Sequence, residues 1–317
     1  MSLQSEFALD GRLERAAFPP VMTAIIGLIV AFLLFQVIAA VAALVFLLGS
    51  GVSFADLMAD VTGVFADNPM SLIMGNTVGQ FLGLLLPALL FSRLHTSNWK
   101  PFLRLNPVNG KILVLSVVAL LALIPVVQWF GVISDAIPWP EAIREMEQAQ
   151  MDLIEQILTH DFSLIFSISM LALTPAICEE VLFRGYVQRQ AERSMGVLWG
   201  ILFSGIVFGL YHLRLTQAIP LSMLGVFMAY LTWRTNSLWP AILVHLANNS
   251  FAAILGNFAS KEDAGFDLES FEMPLAVVIP AAIVLIGVLV VLHRQVEDVA
   301  QPDGNEPDGA DHETQSI

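Results

Sequence analysis

Residues 21–49 read VMTAIIGLIVAFLLFQVIAAVAALVFLLG, 29 consecutive positions without a charge or a histidine. An α-helix rises 1.5 Å per residue, so about 20 apolar residues cross a hydrocarbon core about 30 Å thick. This stretch reads as a spanning helix that tilts or overshoots the bilayer. It is too long for the apolar region of a cleavable signal peptide, about 7–15 residues. The polar, mixed-charge residues 1–16 before it do not resemble such a leader either.

The same pattern recurs along the chain. Uncharged stretches that meet or approach spanning length lie at about 70–92, 112–134, 162–178, 195–213, 218–233, 238–256 and 273–292. Of the 317 residues, 56% are hydrophobic and 13% charged. A soluble domain carries about 25% charged residues, and half that cannot coat a globule of this size. The expected fold is all-α: a polytopic membrane bundle of about eight transmembrane helices. A net charge of −14 without a basic stripe excludes a nucleic-acid partner. The single cysteine, Cys178, excludes an intramolecular disulfide framework and a multi-cysteine zinc site.

With the N-terminus placed inside, inner segments hold eleven Lys and Arg, among them Arg104, Arg184 and Arg189, against three in the outer loops. That bias puts both termini in the cytoplasm and the protein in a cytoplasmic membrane, the inner membrane of a bacterium. Acids crowd the outer loops at 56–67, 135–161 and 262–272 and the tail after Arg294, which reads as disordered. The organisation expected is three N-terminal spans plus an outer segment (1–160), a helical core (161–256), a last span (257–293) and an acidic tail (294–317). Gly75/Gly79/Gly83, Gly196/Gly200 and Gly205/Gly209 are spaced for close helix approach. Residues 141–158 are amphipathic, with Ile143, Met146, Leu153, Ile154, Ile157 and Leu158 near one face and acids opposite. They read as a helix lying on the outer surface.

Ionisable groups in apolar spans cost about 2.5–3.5 kcal/mol each on insertion scales. Here they gather in one window: Glu179, Glu180 and Arg184, then His212, then His245 with Asn249. Glu180 and Arg184 are four apart with the acid first, the favourable order for an ion pair. Glu179 is rotated about 100° from Glu180 and is free to face a cavity. His245 and Asn249 share a helix face. A carboxylate, two imidazoles and an amide in one polar cavity contain the parts for attack by water on a carbonyl. The carboxylate takes the proton, and N–H groups meet the oxyanion. Zinc held by Glu179, His212 and His245 is the alternative, acidifying the water itself. The residues lack the HExxH spacing of soluble zinc proteases.

The three motifs, Glu179-Glu180-xxx-Arg184, Phe208-xxx-His212 and His245-xxx-Asn249, resemble the signature of the CPBP family of intramembrane proteases, which includes the type II CAAX prenyl endopeptidases. The resemblance covers roughly residues 160–256. It implies an endopeptidase in which Glu179 activates water and Glu180 pairs with Arg184. His212 and His245 would position water or metal, and Asn249 would serve the oxyanion. The implied partners are the lipid bilayer and a membrane-associated peptide or protein substrate. Two other classes remain open on sequence: a non-catalytic immunity or scaffold protein of the same fold, and a proton-coupled transporter.

Overall fold

A computed structural model describes residues 8–262 and 273–300; residues 263–272 of the acidic loop expected at 262–272, and 301–317 of the tail expected at 294–317, lie outside the described residues. Among the described residues nine principal helices follow in order. They are α1 Pro20–Gly49, α2 Pro69–His95, α3 Gly110–Asp135, α4 Glu141–Thr159, α5 Leu164–Met195, α6 Val197–Tyr211, α7 Ala218–Thr235, α8 Trp239–Glu262 and α9 Leu275–Ala300. The protein is an integral, multi-pass helical bundle. Among the described residues six helices are long and apolar enough to cross a membrane: α1, α2, α3, α5, α8 and α9. The other two expected spans form α6 and α7, a shorter hairpin packed on itself. The last helix runs to Ala300, past the expected boundary at 293.

Local chemistry sets the helix starts. Pro20 and Pro69 occupy first-turn positions, where a missing N–H costs nothing. The Asn109 side chain accepts from Lys111 N at 2.9 Å to begin α3, and Ser163 accepts from Phe166 N to begin α5. Two helices carry a π-helical turn just ahead of a proline: Gln80–Leu85 before Pro87, and Ile168–Leu173 before Pro175. A proline ring collides with the carbonyl four residues earlier, and widening the preceding turn relieves that clash. A third π-helical turn, Val181–Val187, has no proline and sits beside the candidate site.

Helix α5 is central. Its buried face, from Ala176 to Ala191, shares one hydrophobic core with α1, α2, α3, α6, α7 and α8. By contrast α1 turns Ile29, Leu33, Val37, Val41 and Val45 outward, one every fourth residue, as a lipid-facing stripe.

Three of the arginines counted toward the inner surface charge are not on a surface. Arg104, Arg184 and Arg189 are at most 1% exposed. Arg104 pairs with Glu192, while Arg189 donates to the carbonyls of Phe102 (3.0 Å) and Pro101 (3.1 Å). The C-terminal half of α5 thus buries its charges in protein, supplying the partners that hydrocarbon would deny them. Ahead of α1 a strap of residues 8–15 is pinned to the same end. Thr96 Oγ1 donates to Ala8 O, Ser97 N to Asp10 Oδ1, Gly11 N to His95 O, and Arg193 to both oxygens of Glu14.

The glycine repeats have two different uses. Gly75, Gly79 and Gly83 face Ala43, Ala39 and Phe35 of α1 so closely that a Cβ would overlap them. Gly205 meets Val226, with an added Cβ only 2.5 Å from its backbone nitrogen, and Gly225 meets Gly205 in return. Gly196 is instead a turn residue: its φ is +86°, and nothing lies within 4 Å of an added Cβ.

Replacing Gly205 by Val should cost at least about 1–3 kcal/mol through overpacking. Gly131→Ala in α3, where a Cβ meets open space, should be neutral or gain up to about 1 kcal/mol. Thermal midpoints of the two purified variants against wild type measure the contrast. The strap yields a pH prediction. Burial pushes the Glu14 carboxyl up, but hydrogen bonds from Arg193 and His95 outweigh burial and hold it below its ordinary 4.5. Glu14 therefore stabilises the docked strap fully above pH 4.5, and that contribution is lost as pH falls through the lower folded value. Amide exchange across residues 8–15 should rise in that window, and Glu14→Gln should remove the step.

Candidate active site

The depth of the site follows from the turn at Gly196. Read alone, the uncharged stretch 162–178 ends at Glu179, which leaves His212 far from the acids along the membrane normal. The structure continues α5 to Met195, so Glu179 lies 15 residues in from Leu164, about 23 Å along the helix. Gly196 then reverses the chain at once, and α6 runs back antiparallel along α5. Residues whose numbers sum to about 392 come face to face. Gly200 meets Glu192, Phe208 packs edge-on against Phe183 with centroids 5.3 Å apart, and His212 arrives at Glu179. The antiparallel pairing of α5 and α6 carries the imidazole to the acid.

The second acid organises the cluster. Glu180 is fully buried; its Oε1 accepts from Arg184 Nη1 at 2.9 Å and lies 2.8 Å from His245 Nδ1. Arg184, equally buried, donates its Nη2 to Gly225 O of α7 at 3.0 Å and lies over the Phe208 ring at 4.2 Å. One ion pair therefore ties α5 to α6, α7 and α8. The expected Glu180–Arg184 pair is present, and the Glu180–His245 contact is an addition that sequence spacing does not reveal. Phe208 touches both imidazoles edge-on, at 4.7 Å from His212 and 5.7 Å from His245.

The partners fix the histidine tautomers. His212 Nδ1 is 2.8 Å from Phe208 O, and His245 Nδ1 faces the Glu180 carboxylate. Both partners only accept, so each Nδ1 carries the proton and each neutral Nε2 is an acceptor. Both Nε2 atoms lie 4.0 Å from Glu179 Oε2, a buried oxygen with no protein partner. Three acceptors converge with no donor among them. A water hydrogen-bonded at about 2.8 Å to two groups 4.0 Å apart subtends about 90°, close to the water angle.

The donor types also match a His₂Glu zinc set. Their spacing does not: with bonds of about 2.0–2.1 Å, a tetrahedral shell needs edges of about 3.3 Å. Among the described residues no group of three side chains is spaced to hold a metal. Asn249, one turn beyond His245, reaches Leu171 O at 3.4 Å. Cys178 is buried and unbonded. The Tyr211 hydroxyl, unremarkable in sequence, is buried without a partner, its ring clamped edge-on between Phe32 and Phe183.

Removing Arg184 would leave Glu180 charged and buried. Arg184→Leu should therefore cost about 3–5 kcal/mol. Glu179→Gln, which neutralises a group without a protein partner, should leave stability within about 1 kcal/mol of wild type. Denaturation of the two variants in matched detergent measures the difference.

Residues 161–251 match the family described as type II CAAX prenyl endopeptidase Rce1-like. A Bacillus subtilis protein named "Putative membrane peptidase YdiL" is 28% identical over 114 residues, which cover 35% of this chain and 44% of that protein. The match thus spans less than half the length of that curated relative. No solved structure matches the chain. Residues 161–251 contain all of α5, α6 and α7 and the half of α8 that carries His245, so the segment that is similar to the CAAX prenyl endopeptidase family holds every residue of the candidate site.

Proposed function

We propose that the protein is an intramembrane endopeptidase that hydrolyses a peptide bond of a membrane-associated substrate with water activated by Glu179. The observation that carries this reading is the convergence of Glu179 Oε2 and the two imidazole Nε2 atoms, three acceptors that need a donor between them. Water supplies two O–H donors. Its oxygen attacks the substrate carbonyl while one proton passes to Glu179 Oε2. A C–O bond forms and, as the tetrahedral intermediate collapses, the C–N bond breaks and the proton goes to the leaving amine. Glu180 behind His245 holds that ring's orientation, so its Nε2 stays directed at the water beside Glu179. Asn249 is the candidate donor to the negative charge that develops on the carbonyl oxygen, once its amide swings from Leu171 O.

The site opens on one side. Side-chain exposure falls from 32% at His212 to 15% at Glu179 and 4% at His245. Substrate and water enter past His212, at the end of α6, and His245 forms the floor. Zinc on the same three groups is the second reading, favoured by the donor set alone; when bound it would acidify the water. A bacterial inner membrane is the setting proposed from the charge bias.

In proteoliposomes carrying a quenched-fluorescent apolar peptide, Glu179→Gln and His245→Ala should each lower kcat about 10²–10⁴-fold while the fold persists. Wild-type turnover in both would overturn the reading. Dialysis against a strong zinc chelator should leave the rate unchanged; loss of activity restored by zinc would establish the metal-bound form.

A further inference from the structure

A cavity of about 790 Å³ lies apart from the catalytic cluster. It is bounded by α1, the two short helices Phe54–Ala59 and Val61–Asp67, the start of α2, the second half of α4, and Leu171 of α5. Ligand pockets commonly span about 300–1,000 Å³. Its lining is apolar and, among the described residues, carries no charged side chain; the polar groups in it are the carboxamides of Gln36, Asn76 and Gln150. Gln150 Oε1 is buried there without a hydrogen-bond partner.

That combination selects among ligand chemistries. A hydrocarbon chain would leave the buried Gln150 Oε1 without a partner, at about 1–3 kcal/mol. An ionised headgroup would find no countercharge in the wall. A peptide backbone offers neutral N–H and C=O groups to carboxamides that both donate and accept, with apolar side chains against the rest. The cavity neighbours the site along α1. Phe32 packs on Tyr211, the neighbour of His212, and Phe35 one turn later lines the cavity. Leu171 at the far wall is eight residues before Glu179, about 12 Å along α5. An extended chain covers that distance in about four residues.

We propose that this cavity is a substrate subsite, which binds an apolar, uncharged peptide segment about four residues from the scissile bond. The inference rests on the proteolytic reading of the Glu179 site and names the class of substrate that site takes. Ala40, on the exposed side of α1, projects into the cavity without serving the α1–α2 contact, so a larger residue there fills the subsite and spares the fold.

The test measures binding alone. The full chain carrying Glu179→Gln, in detergent micelles, is titrated with a fluorescein-labelled twelve-residue peptide of alternating Leu and Ala, followed by anisotropy. Adding Ala40→Phe should raise Kd at least tenfold, the double change Asn76→Leu with Gln150→Leu severalfold, and a central Leu→Asp in the peptide should abolish binding. Palmitate should fail to displace the probe. An unchanged Kd in Ala40→Phe, or displacement by palmitate as effective as by unlabelled peptide, would overturn the inference. Because no turnover is read, loss of the proteolytic reading would appear separately, as a wild-type chain that holds the peptide and leaves it intact.

Discussion

A single buried carboxylate oxygen organises the interior. Glu180 Oε1 meets the Arg184 guanidinium and the His245 ring, and the same guanidinium reaches the Gly225 carbonyl and the face of Phe208. Replacing such a pair with apolar residues of similar volume is often neutral or stabilising. Its value here is geometric. It fixes the rotation of α5 against α6, α7 and α8, and it decides which nitrogen of His245 carries the proton. Shift α5 against α8 and that tautomer is no longer defined. Glu179 can then stay without a protein partner, because its neighbour has absorbed the local cation.

The rest of the bundle follows from giving α5 a protein environment. This helix carries Glu179, Glu180, Arg184, Gln188, Arg189 and Glu192 through what would otherwise be hydrocarbon, and four of these are at most 1% exposed. Gln188 bridges Glu192 and the Ala229 carbonyl, repeating one turn further on the link that Arg184 makes to Gly225. The neighbours approach closely enough to supply such partners because small residues remove the intervening side chains: Gly200 against Glu192, and Gly205 against Gly225. Helices α1, α3 and α9 close the circle and show lipid their Val, Ile and Leu.

Much of this was legible in the sequence because polarity in lipid is conspicuous. An acid or a histidine inside an apolar run needs a partner, and four-residue spacing names the partner on the same helix, as with Glu180 and Arg184. Partners on other helices leave no such mark. Nothing in the spacing joins Glu180 to His245, 65 residues away, or Arg104 to Glu192, so those arginines read as surface charge. The depth of His212 is hard to read for a related reason: charge content marks the end of an uncharged run at residue 178, whereas buried pairs let the helix run to Met195. The turn at Gly196 then sets a register in which 212 faces 179. A glycine needed for its positive φ and a glycine needed for close packing look alike in a sequence.

Helix α4 adds a contact that its pattern does not reveal. Its apolar face and opposing acids read as a helix lying on the outer surface, and Glu147, from the acidic set, is its one buried residue. The Glu147 carboxylate accepts the N–H groups of Leu215 and Thr216 and the Thr216 hydroxyl, closing the turn that follows His212. In that turn Leu213 has a φ of +56°, a conformation few branched residues adopt without support. The support comes from α4, so the most exposed histidine of the site is held by a helix outside the three motifs. The same helix supplies Gln150, Leu153 and Ile157 to the cavity wall. One element thus braces the turn beside the candidate site and bounds the neighbouring cavity. The 161–251 segment carries the candidate site, and the chain before it supplies the brace and most of the cavity wall.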